Sequence, residues 1–324
     1  MENKIRVGFI FHKNNYFLLG QHFDNTYYNF FRKALKRNDR LVVKDFITDD
    51  VFDCSCLKDK VDVLLLWENS PFGMPKELQN IKKLEVPVIS RTGDPSRAND
   101  SKKLHEKWKI DYYFDFFSDS FFHKIYPKRF NYKKIFYGLE KSLFQDVKPF
   151  GERKKNKILN SGNIGNDKFI SKLINDIRNP KWNSYRCKVL RTKCSKLDYV
   201  DYSFTQDHNF TNDRYTLLLQ QYQSAIAADT YTPVQKYWEI PASGCLTFME
   251  MTEKNDGSHI NFKDNETAIF INEKNYVEKF LEYLNDNENG KWKEIADAGR
   301  SFAMKNFNND LAVNKLADLM TDLI

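Results

Sequence analysis

The sequence predicts an α/β protein of two lobes, each a parallel sheet with helices on its faces, facing each other across a cleft. Three observations carry this prediction. Apolar runs of strand length alternate with amphipathic stretches of helix length, which is the pattern of βαβ units. Several runs, VDVLLLW (61–67) above all, are apolar without alternation, as strands buried on both faces are. The chain of 324 residues is long enough for two domains of ordinary size, each with its own core.

The first strand is IRVGFIF (5–11), followed by a long loop that carries Gly20, Gln21, His22 and Asp24. An amphipathic helix at 25–36 places Tyr28, Phe31 and Leu35 on one stripe. Strands at 41–47, 61–67, 86–90 and 110–114 then alternate with helices at 75–83 and 97–107, and a last strand falls at 134–137. Such sheets bind ligands at the carboxyl ends of their strands. The loops 12–24, 68–73 and 92–97 are therefore the ones to watch. The polar segment SLFQDVKPFGERKKN (142–156) marks a boundary between a first domain at 1–147 and a second at 148–307. In the second, a strand at 157–160 leads through the loop SGNIGND (161–167) into a helix at 168–178. A strand at 187–190, a helix at 212–223 and strands at 225–228, 245–249 and 268–271 follow, with helices at 275–285 and 292–305. The closing segment, 308–324, is a helix whose stripe of Ala312, Leu316, Leu319, Met320 and Leu323 is expected to pack back on the first domain. Both halves read as Rossmann-like.

Composition sets the class. Hydrophobic residues make up 41% and charged residues 29%, and no apolar run approaches the roughly 18 residues of a membrane span. The apolar segment near the N-terminus is too short for a signal peptide, so a cytoplasmic protein is expected. The five cysteines suit a reducing compartment. Neither they nor the six histidines show metal-ligand spacing, so no metal site is expected. The net charge of +7 is uneven: 151–200 holds 13 Lys and Arg against 4 Asp and Glu. The basic excess, about 102–196, suits an anionic acceptor, a membrane surface or nucleic acid, and equally a solvated basic face.

The stretch AIAADTYTPVQKYWEIPASGCLTFME (225–250) carries the chemistry. A buried strand feeds a polar loop and then a helix starting near Lys236. Free amides and the dipole at such a start attract anions. Lys236 adds a full charge, and Glu239 lies on nearly the same helical face. A phosphate site beside a carboxylate for hydroxyl groups is what a nucleotide-sugar pocket requires. An ordinary strand, loop and helix with a surface Lys–Glu pair is the competing reading.

The segments SGNIGNDK (161–168), YTLLLQQYQSAIAAD (215–229), KYWEIPASGCL (236–246), FKDNETAIFIN (262–272) and WKEIADAGRSFAMKNF (292–307) occur in an order that resembles GT-B-fold glycosyltransferases of the family 1/4-like, CgeB-like (spore maturation protein) branch. The resemblance spans about 150–307. It implies a metal-independent transferase that needs no cofactor. Its substrate would be a nucleotide-diphosphate sugar bound mainly by the C-terminal domain, with the acceptor on the N-terminal one. By position, Glu239 resembles the second glutamate of the family's paired motif, and Lys168 a diphosphate-binding lysine that follows the glycine at Gly162. The arginine beside that glycine is Asn163 here, and the first glutamate of the pair falls at Tyr231. Lys236 is the candidate to replace the missing positive charge.

Glycosyl transfer needs its leaving diphosphate stabilised, which without a metal falls to cations and helix-tip amides. Lys236 and Lys168, with amides around Gly162 and Thr232, suit that task. A general base for an inverting reaction would come from the N-terminal domain. Asp94, in TGDPSR after a strand, leads, with a turn or helix cap as its alternative; His22 and Glu68 follow. The expected reaction moves a hexose-like sugar to a hydroxyl of a glycan, glycolipid or protein glycan. A DNA-modifying glycosyltransferase, a nucleotide-sugar-binding protein without turnover and a nucleotide-sugar isomerase are the rivals. The aromatic run YYFDFFSDSFF (112–122) is expected to serve packing before sugar or base stacking.

Overall fold

The computed structural model describes residues 4–15, 18–19, 26–68, 73–204 and 214–324, the side chains of 26, 27 and 97 excepted. The chain forms two compact units: Met1–Gly138 with Asn309–Ile324, and Leu139–Asn308.

Unit 1 contains β1 (Ile5–His12), α1 (Thr26–Arg37), β2 (Leu41–Thr48), β3 (Val51–Asp53), β4 (Val63–Leu66), β5 (Glu77–Gln79), β6 (Val88–Arg91), α2 (Ala98–Lys107), β7 (Tyr112–Asp115), α3 (Asp119–Ile125) and β8 (Tyr132–Lys134). Six strands form an all-parallel sheet in the order β2-β1-β4-β6-β7-β8, and β3 pairs with β5 apart from it. β4 is buried along its whole length, as its unbroken apolar run requires. Trp67 follows it and is fully buried, its ring 5.4 Å from Phe31 of α1 and 6.0 Å from Tyr137. The aromatic run at 112–122 is core: Tyr113, Phe114, Phe116, Phe117, Phe121 and Phe122 are all buried.

Unit 2 contains β9 (Lys154–Ser161), α4 (Phe169–Arg178), α5 (Val189–Cys194), β10 (Val200–Ser203), α6 (Tyr215–Leu219), β11 (Tyr222–Ala227), α7 (Lys236–Ala242), β12 (Leu246–Glu250), β13 (Ile269–Ile271), α8 (Tyr276–Asn285) and α9 (Gly290–Asn306). Its five parallel strands run in the order β10-β9-β11-β12-β13. Ile158, Leu190, Ile226, Phe248, Phe280 and Trp292 are central to its core. Gly299 lets α9 pass close over this layer, because a side chain there would run into the Thr267 carbonyl and lie 3.5 Å from Pro241 of α7.

The last helix, α10 (Asn309–Leu323), belongs to unit 1. Arg37 at the end of α1 pairs with Asp310 at 2.7 Å, and Arg40 with Asp318 at 2.6 Å. Ala312, Val313, Leu316, Leu319 and Met320 are buried. The divisions at 138/139 and 308/309 compare with the 147/148 and 307/308 read from composition.

Two elements differ in kind from their sequence reading. The segment 75–83 is no helix: Asn80 takes a left-handed φ of 57° between β5 and a 3₁₀ turn, which breaks any helical run there. The segment 187–190, read as a strand, enters α5, whose Leu190 and Cys194 are one turn apart and both buried. The strand beside β9 is β10 instead. Among the described residues, no helix is long and apolar enough to cross a membrane.

Candidate active site

The carboxyl edge of the unit 2 sheet gathers the charged groups. β9 ends at Ser161, and Gly162 follows with φ of 95°, a left-handed value that favours glycine. Its amide donates to the Ser203 carbonyl at 2.8 Å, which fixes the turn against the end of β10. A side chain at Gly162 would collide with the Lys236 ammonium and lie 3.7 Å from Nη1 of Arg191. The turn therefore presents bare backbone to two cations.

Lys236 opens α7 and reaches back to β9, donating to the Ser161 carbonyl and, at 3.3 Å, to Ser161 Oγ. The same Oγ lies 2.7 Å from the hydroxyl of Tyr215 on α6. The Lys236 ammonium stands 5.8 Å from that ring. Glu239, in the first turn of α7, is close enough for its charge to raise the pKa of the Tyr215 hydroxyl, although burial is the larger cause.

Arg191 comes from α5 and is 4% exposed. Nη1 donates to the Asn163 carbonyl at 3.1 Å, and Nη2 to the Ala228 carbonyl past the end of β11. Its own carbonyl accepts from Asn160 Nδ2 at 2.9 Å, and the neighbouring Thr192 hydroxyl accepts from the Gly165 amide at 2.8 Å. These bonds tie α5 to the loop after β9. Two carboxylates share the neighbourhood of Arg191. Burial pushes Asp229 up to about 6, against the pull of Arg191. Burial, then the charge of Asp229, pushes Glu250 up to about 8, and its Oε2 is buried without a hydrogen-bond partner.

Gly162, Asn163, Lys236 and Glu239 thus lie within one neighbourhood. Tyr231 and Thr232 join it through Asp229, whose Oδ1 accepts from the Tyr231 amide at 3.4 Å. Tyr231 itself packs edge-on against Trp182, with centroids 5.1 Å apart. Lys168 is exposed at the start of α4, and among the described residues no contact joins its ammonium to Gly162 or Lys236.

In unit 1, Asp94 accepts from the Ser96 amide at 2.8 Å and caps a 3₁₀ turn after β6. His22 lies outside the described residues. Glu68 joins a second polar cluster at the carboxyl ends of β4, β6 and β7. It accepts from Arg91 Nη2, while Arg91 Nη1 lies 3.3 Å from Asp115 Oδ2 and 3.2 Å from the Tyr137 hydroxyl. Burial raises the pKa of both carboxyls, and Arg91 opposes the rise.

Arg191, Asp229, Glu250, Arg91 and Asp115 escaped the sequence reading. Asp229, Arg91, Asp115 and Glu250 did carry one signal, since each directly follows a strand-length apolar run, where ligand-binding loops begin; Arg191 carried none. Among the described residues, no group of three or more His, Cys, Asp or Glu is placed to hold a metal ion.

No protein-family model and no curated protein sequence matches the chain. Solved structures do. HepE of Anabaena in complex with UDP-glucose is 9% identical, aligned over 98% of this chain and 100% of its own, with a TM-score of 0.58. A glycosyltransferase of Rickettsia africae is 10% identical over 99% of both chains, with a TM-score of 0.56. An α-glucosyltransferase in complex with UDP-glucose and DNA containing an abasic site is 9% identical over 98% of this chain and 100% of its own, also with 0.56. The fold is that of GT-B glycosyltransferase structures.

Proposed function

We propose that the protein is a glycosyltransferase of the CgeB-like branch, which moves a hexose-like sugar from a nucleotide-diphosphate sugar to an acceptor hydroxyl without a metal. The observation that carries this reading is the convergence of Lys236 and Arg191 on the bare backbone of Gly162. Two cations held at the carboxyl edge of a parallel sheet suit a diphosphate, whose negative charge grows as the glycosidic bond breaks. Arg191 supplies the positive charge that Asn163 lacks. Glu239 would take ribose or sugar hydroxyls. Unit 1 would take the acceptor, a glycan, glycolipid or protein glycan, with Asp94 or Glu68 receiving the hydroxyl proton if the reaction inverts. Since HepE and the α-glucosyltransferase were each solved with UDP-glucose, UDP is the first donor probe.

A thermal-shift series with nucleoside diphosphates in EDTA tests the site. A diphosphate at about 100 times its dissociation constant stabilises by about 2.7 kcal/mol. Arg191→Ala and Lys236→Ala should each abolish the shift and lower transfer by about 10²–10³-fold. An unchanged shift in both variants would remove the pair from the site, and a shift without donor hydrolysis would make the protein a binder without turnover.

DNA is the second acceptor reading, favoured by the basic middle of the chain and the net charge of +7. Duplex binding whose strength falls steeply with salt supports it, and no binding at low salt removes it.

A further inference from the structure

The helix α4 is inside out. A surface helix ordinarily turns its apolar stripe to the core and its charged face to water. In α4, Phe169, Ile170, Leu173, Ile174 and Ile177 occupy about 140° of arc and are 81%, 70%, 53%, 43% and 74% exposed. None of its residues is buried. Its polar side is the anchored one. Asp176 accepts from Arg186 Nε at 2.7 Å and from Asn183 Nδ2 at 2.8 Å, and the Lys172 ammonium sits 4.2 Å from the Tyr185 ring centroid. Those bonds hold the apolar stripe outward.

The surrounding charge indicates what covers it. The stretch 151–200 carries 13 Lys and Arg against 4 Asp and Glu. Of those cations Arg153 and Arg191 are buried, and Lys154, Lys155, Lys157, Arg186, Lys193 and Lys196 are paired with carboxylates, so the positive charge at the ends of α4 comes from Lys168, Arg178 and Lys181. Arg178 and Lys181 are exposed beside the stripe. A second copy of this chain would bring like charge against like. A nucleic acid would meet the lysines but gain nothing from five large aliphatic and aromatic side chains. An anionic bilayer satisfies both, taking the stripe into its acyl boundary while its headgroups meet the basic rim.

We propose that α4 docks the protein reversibly on membranes rich in anionic lipid. The proposal is independent of the transferase reading, since it is read without activity. The test is co-sedimentation of the full chain with phosphatidylcholine vesicles, alone or with about 30 mol % phosphatidylglycerol. Binding is expected to the anionic vesicles only, and to weaken as salt rises to about 0.5 M. The double variant Phe169→Ser/Ile177→Ser should lower partition by about tenfold or more with an unchanged melting temperature. Arg178→Glu/Lys181→Glu should weaken binding to the anionic vesicles as well. Should the serine variant fail to fold, the wild-type lipid and salt responses and the charge-reversed variant still decide. Absence of binding, equal binding to both vesicle types, equal binding by folded wild type and variants, or a wild-type dimer on gel filtration that the serine variant loses would each overturn the proposal.

Discussion

At the scale of single residues, the site in unit 2 is a contest between burial and pairing. Arg191 uses its guanidinium on two backbone carbonyls, Asn163 and Ala228, which leaves the carboxyls of Asp229 and Glu250 shifted upward by burial to about 6 and about 8. The unfolded chain releases those protons near the ordinary values of 3.8 and 4.5. The folded protein therefore binds more protons than the unfolded chain across that window. The stability these two groups lend is complete below their ordinary values and is lost as pH rises through the raised ones. Urea midpoints should accordingly fall between about pH 4 and pH 8, and Glu250→Gln should flatten the upper part of the decline. An identical slope in the variant would show that Glu250 titrates normally. None of this was legible from sequence: Glu250 is the last residue of an apolar strand, and nothing local reveals that Arg191, 59 positions earlier, shares its surroundings.

Among the elements, the strands with unbroken apolar runs were the readable ones. β4, β11 and β12 are buried along their lengths, and burial on both faces leaves a strand little choice of composition. Short mixed segments were not readable. The four residues at 187–190 fit a strand or a helix, and the choice fell to the pairing of β10 with β9. That choice hid Arg191, because a strand would have sent its side chain elsewhere. In unit 1, the ends of β4, β6 and β7 are held by Arg91, 5% exposed between the rings of Tyr28 and Trp67 at 5.0 Å from each. Arg91→Met would leave Glu68 and Asp115 buried with no counter-charge. The expected loss is about 3–5 kcal/mol, read as a lower urea midpoint. A loss below about 1 kcal/mol would mean that both carboxyls are protonated in the native protein.

For the molecule as a whole, the decisive feature is that unit 1 is made of two pieces of chain, Met1–Gly138 and Asn309–Ile324. Removing 309–324 takes away the partners of Arg37 and Arg40 and uncovers the surface against which Val313, Leu316 and Met320 are buried. Calorimetry of the truncated chain should show unit 1 melting earlier, by several degrees at least, while the transition of unit 2 stays where it was. A single transition lowered as one would refute that division. The arrangement also sets an order of events during synthesis. Domains generally fold as they emerge, yet unit 1 here must wait for residues 309–324, with all of unit 2 made in between. The nascent unit 1 therefore spends that interval with an uncovered apolar seam on α1, and a fragment ending at Gly138 should need chaperones that the chain including 309–324 does not.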